Sequence, residues 1–133
     1  MVTEMVVKES LSNEMISAGA ELTRRLDQMN FIVSASLWFY LSEINSWRLI
    51  IASPEVRVNG PKKAYKQIQS AIAKMPENQP KIALKDISVV DSQDSLISLL
   101  RMFGRVEGIS GVRFSNNVIN GVPIEDAYIY RLT

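Results

Sequence analysis

The sequence predicts an α+β fold: a mostly antiparallel sheet of about five strands with three helices, in the order αββαβαββ. Three observations carry this expectation. Apolar residues recur at steps of three or four in two separate stretches, they alternate one-for-one with polar residues in others, and an Asn-Gly pair sits between two alternating runs near position 120. The 133 residues fit a single domain, 1–133, with a core of its own.

The first helix is expected over 5–29, where Leu11, Met15, Ala18, Leu22, Leu26 and Met29 form one stripe and Glu14, Glu21, Arg24, Arg25 and Asp27 fall largely on the other side. From 32 the period drops to two: Ala35, Leu37, Phe39 and Leu41 alternate with Ser34, Ser36, Trp38 and Tyr40. The polar stretch 42–46 breaks this run before the aromatic and β-branched residues 47–52, so 32–53 reads as a hairpin. Residues 54–59 read as a connector. Pro61 suits the first position of a helix over 61–75, with Tyr65, Ile68, Ile72 and Met75 on one side and Pro76 as its stop. A third strand is best at 87–90. Asp91 reads as the N-cap of the next helix, with Asp94 reaching back as the acid of a capping box. That helix carries Leu96, Leu99, Leu100 and Phe103 and ends near Gly104, before a loop containing Gly108 and Gly111. Asn120-Gly121 then closes a final hairpin, because both turn residues need positive φ.

Composition removes several chemistries. With no Cys there are no disulfides, thiol nucleophiles or thiolate metal sites. With no His, Ser-His-Asp and Cys-His catalysis and His-based zinc hydrolysis are excluded. A net charge of +1 gives no global field toward nucleic acid or membrane. The N-terminal residues lack a signal-peptide pattern, and the most apolar stretch, 31–41, is short of the roughly 20 residues of a membrane helix. A cytoplasmic location is the expectation.

The Asn-Gly turn fixes a register: Ile119 opposite Val122, Phe114 opposite Ala127, Val112 opposite Ile129, Arg113 opposite Tyr128 and Ser115 opposite Asp126. Arg113 and Asp126 are then diagonal neighbours within side-chain reach. If all three helices cover one sheet face, the other shows Arg113, Ser115, Asp126, Tyr128 and Tyr130, with Trp38 and Tyr40 from the first hairpin. Aromatics with a few fixed charges suit a protein interface or a ligand pocket, whereas a solvated face with one ion pair is the plainer alternative.

Other groups weigh less. Lys62, Lys63, Lys66 and the remaining basic residues of 57–85 form a basic stretch, but most lie on the polar side of a helix and no aromatic residues interleave with them. Arg101 and Arg105 could contact an anion or simply complement a helix C-terminus. Asp86, Asp91 and Asp94 have capping and strand roles that displace a metal reading, and no metal or cofactor is expected.

The blocks SLWFY…WRLIIASP and GVRFSNNVINGVPIEDAYIYRL resemble those of a family of small uncharacterised bacterial proteins, over most of the chain from about Asn30 onward. The resemblance implies a bacterial cytosolic origin and carries no activity, cofactor or partner. The leading expectation is a non-catalytic protein-interaction or self-association module, a homodimer or a complex with another protein. The alternatives are an enzyme or binding protein for a phosphate-containing or other anionic ligand, and nucleic-acid binding through the lysines of 57–85.

Overall fold

The structure, a computed structural model, describes residues 7–133. Its elements are α1 (Asn13–Gln28), β1 (Ala35–Leu41), β2 (Ser46–Ser53), α2 (Glu55–Asn59), α3 (Pro61–Ala73), β3 (Ile87–Asp91), α4 (Ser95–Arg101), β4 (Val112–Ile119) and β5 (Val122–Leu132), with single 3-10 turns at Ser42–Ile44 and Leu84–Asp86. All five strands form one sheet, ordered β3-β2-β1-β5-β4.

The α+β class stands, with two refinements. The sheet is mixed: β1 pairs antiparallel with β2 and β5, and β4 with β5, but β2 and β3 are parallel. Parallel neighbours need a crossover connection rather than a tight turn, and here α2 and α3 make that crossover. The second refinement is α2 itself, a short helix where a connector was expected.

Helix α1 begins later than its apolar stripe suggests. Ser12 is the N-cap, its hydroxyl accepting from the Met15 amide at 3.1 Å, so residues 7–12 lie outside the helix. Residues 5 and 6 of the expected span lie outside the described residues. Ala18, Leu22 and Leu26 are buried as the stripe requires. At α4 the cap is Asp94, which accepts from the Leu96 amide, rather than Asp91. Asp91 instead ends β3 and takes a hydrogen bond from Arg57 at 2.8 Å.

The hairpin register is as the turn chemistry dictates, with Asn120 at φ 49° and Gly121 at φ 78°. Two interruptions shape its faces. Asn116, at φ 51°, breaks the alternation, so Ile119 and Ile124 join Phe114 and Ala127 in one apolar cluster. In β5, Ser36 pairs with Arg131 but Leu37 with Ile129. Tyr130 is thus an extra residue, a β-bulge that turns both Tyr130 and Arg131 toward α1.

Apolar residues pack on both sides of the sheet. On one side α1 and α3 cover Trp38, Tyr40, Trp47, Leu49, Ile51, Val89 and Tyr130. On the other, α4 packs through Ile97 and Leu100 onto Ala35, Leu37, Ala52, Ile129 and Leu132. Burying each Leu, Ile or Val side chain among these contributes about 1.5–3 kcal/mol.

Candidate functional site

The face expected to carry the site is assembled but not open. Trp38, Tyr40, Asp126 and Tyr130 are 2, 6, 3 and 1% exposed, and Tyr128 is half-buried; only Arg113 and Ser115 remain exposed. The open-face reading assumed that all helices share one side. They divide instead, and α1 and α3 take the aromatic side.

Buried polar atoms on this face are satisfied internally. The Trp38 indole donates to the Met15 carbonyl and to the Tyr130 hydroxyl, both at 3.1 Å, and Tyr130 donates to the Ile16 carbonyl at 2.5 Å. Thr23 of α1 donates to the Gly19 carbonyl and shares a 2.8 Å hydrogen bond with Ser36 of β1. Gly19 lets these surfaces meet, since a Cβ there would fall on the Tyr130 hydroxyl and the Trp38 nitrogen. Burial raises the Tyr130 phenol well above the ordinary tyrosine range, so it is a neutral donor.

Asp126 is the one buried carboxylate of the cluster. Arg113 donates to both its oxygens at 2.7 Å, Ser115 donates at 2.7 Å and Lys8 at 2.8 Å. Burial pushes the carboxyl pKa up, but the hydrogen bonds from Arg113, Lys8 and Ser115 outweigh burial and hold it well below the usual carboxylate range. The hydrogen bond to Asp126 raises the Arg113 guanidinium in turn. A carboxylate so fully engaged is a poor base, and an arginine held bidentately is unavailable as an anion clamp.

No local pattern pointed to Lys8 as a member of this cluster. It sits in a segment without regular secondary structure that lies along the sheet before α1. The Glu9 amide donates to Asn45 Oδ1 at 2.8 Å, Asn45 Nδ2 donates to the Val7 carbonyl at 2.9 Å, and the Trp47 indole donates to the Glu9 carbonyl at 2.9 Å. The Lys8 ammonium lies 4.7 Å from the Tyr40 ring centroid and 5.9 Å from that of Trp47.

The other anion candidates are scattered. Arg101 donates to the Thr133 and Ser92 carbonyls at 2.8 and 2.6 Å, which ties α4 to its surroundings. Lys62, Lys63 and Lys66 are exposed along α3. Arg105 is exposed and lines a different feature, an apolar groove of about 400 Å³ between the end of α4 and strands β4 and β5. Leu100, Phe103, Val106, Val112, Phe114 and Ile129 line it. Phe103 stacks edge-on against Phe114 with centroids 4.4 Å apart, yet is 61% exposed; Met102 beside it is 65% exposed and Val112 41%. The sequence places Phe103 on the helix with Leu96, Leu99 and Leu100. The helix ends at Arg101, and Phe103 falls just beyond it. The available signal was Met102-Phe103-Gly104, an apolar pair at the point where a C-terminal glycine ends the periodicity.

Fold and site define a mixed-sheet α+β domain with a largely buried polar-aromatic cluster on one face and a partly covered apolar groove on the other. Comparison with protein-family models, with curated proteins and with solved structures gives no match. Among the described residues, no helix is long and apolar enough to cross a membrane.

Proposed function

We propose that the chain is a non-catalytic protein-interaction module whose partner surface is the groove between α4 and β4. The observation that carries this reading is Phe103, a large aromatic residue 61% exposed at the lip of an apolar groove. Exposed apolar surface gathered around a groove is characteristic of protein interfaces. β4 is also an edge strand of the sheet, with Val112 and Val118 exposed along it, and it carries neither lysine nor proline. Those are common devices for keeping an edge unpaired. Arg105 at the rim favours a partner that places an apolar side chain in the groove with a carboxylate beside it.

The partner is a second copy of the chain or another protein, and the solution mass of the purified chain separates the two. A homodimer that dissociates on Phe103→Asp, with the fold intact by circular dichroism, supports self-association. A monomer that binds an acidic, apolar peptide panel, and loses that binding in Phe103→Asp, supports a separate partner. A monomer with no such binding overturns the reading. The anionic-ligand alternative draws less support, because Arg113 and Arg101 are engaged within the protein.

A further inference from the structure

The contacts around Lys8 have the form of a binding site already occupied by its ligand. Three elements converge on the ammonium: the buried Asp126 carboxylate at 2.8 Å, the Tyr40 ring and the Trp47 ring. A carboxylate with aromatic faces is the usual recognition chemistry for an alkylammonium. Flanking that pocket, Asn45 and Trp47 make three hydrogen bonds to the backbone of Val7 and Glu9. They read the main chain as a peptide-binding surface does, independent of the side chains there. Asn45 is held for this by the Tyr40 hydroxyl, which donates to the same Oδ1 at 2.6 Å, and by its own left-handed backbone at φ 46°. These residues belong to the β1–β2 and β4–β5 hairpins, far in sequence from the segment they hold. Only Ser10 and Leu11 join the segment to the Ser12 cap of α1.

We propose that Asp126, Tyr40, Trp47 and Asn45 form a receptor for an extended, lysine-bearing segment, filled within one molecule by its own Val7–Glu9 and, between molecules, by the same segment of a second copy. The hydrogen bonds to Val7 and Glu9 pass through their backbone groups and those of Lys8 through its ammonium, and the same segment of another copy carries the same groups. Exchange of a short element between identical chains creates no new kind of contact and needs a link that lets the segment leave. This site lies on the opposite sheet face from the Phe103 groove and does not depend on it.

Two measurements on the full chain test the proposal. The first titrates an acetylated peptide of sequence VKESLS into the Lys8→Ala/Glu9→Pro variant, whose own segment has lost both the ammonium and the Glu9 amide donor, and follows tryptophan fluorescence. Saturable binding is expected, weaker by about ten-fold or more when norleucine replaces the peptide lysine, in line with loss of a charged hydrogen bond. No binding, or equal binding of the two peptides, overturns the receptor. The second incubates an equal mixture of unlabelled and isotope-labelled wild-type chain at high concentration, applies a zero-length amine–carboxylate crosslinker and reads the Lys8–Asp126 link by mass spectrometry. Links joining labelled to unlabelled peptides are expected. Links only within one isotopic form overturn exchange between copies, and a dimer formed through the Phe103 groove produces no mixed link at this position.

Discussion

Arg113 grips Asp126 across the last hairpin with two parallel hydrogen bonds of 2.7 Å, one to each carboxylate oxygen. The Asn120-Gly121 turn sets this up by placing Ser115 opposite Asp126, so that Arg113 sits on the diagonal. A pair that could have served as acid and clamp is thereby a structural tie between β4, β5 and the segment carrying Lys8.

The tie makes stability depend on pH in a defined window. Asp126 is held below its unfolded value of about 3.9, so the native state binds fewer protons than the unfolded state there. Its stabilisation is complete above about pH 5 and is lost as pH falls through the acid range toward the native value. Asp126→Asn is expected to flatten this part of the stability curve and to cost about 1–3 kcal/mol at neutral pH. This lies below the roughly 3–5 kcal/mol typical of broken buried pairs, because Arg113 and Lys8 are nearly half exposed and can be resolvated. Urea titrations of both proteins at several pH values check it.

Gly19→Ala tests the close approach of α1 to the sheet. Its Cβ would meet the Tyr130 hydroxyl and the Trp38 nitrogen, both buried, so one of the two must move and the Trp38–Tyr130 hydrogen bond is disturbed. Alanine is the better helix former, which in an open helix would stabilise by about 1 kcal/mol. Here the expected net effect has the opposite sign, a loss of about 1–3 kcal/mol from overpacking. Thermal unfolding gives the sign directly.

Tyr130→Phe keeps the ring and removes the hydroxyl that joins Trp38 to the Ile16 carbonyl. A loss of about 1–2 kcal/mol is expected, with the near-ultraviolet tryptophan signal changed and the secondary structure retained.

Gly121→Ala places a Cβ at φ 78° in the hairpin turn, where open space surrounds it. The cost is backbone strain alone, about 1 kcal/mol, and solution exchange of amide hydrogens should locate the loss at the β4–β5 turn.

Much of the architecture is written in short-range pattern. The Asn-Gly turn dictated a register that holds at every paired position, and Pro61 marked the start of α3. The features that escaped are those decided at a distance. Nothing local to Trp38 or Tyr130 says which sheet face α1 will cover, and alternation reads the same whether a face meets water or helices. The Tyr130 bulge depends on how β5 docks against β1, the parallel β2–β3 pair on where the crossover returns, and the place of Lys8 on a carboxylate 118 residues away. Phe103 was misjudged for the opposite reason: its local period continued, but the helix had ended.

The placement of β5 between β1 and β4 bears on how the chain assembles during synthesis. β1 is made early, yet its second neighbour is the segment Val122–Leu132, and the cleft between them is bridged only when that segment arrives. Until then Leu37, Phe39 and Trp38 stand on a strand with one side unpaired, the arrangement that recruits other unpaired strands. A nascent chain lacking β5 therefore presents a sticky β1, and the central ladder closes only once Val122–Leu132 has emerged from the ribosome.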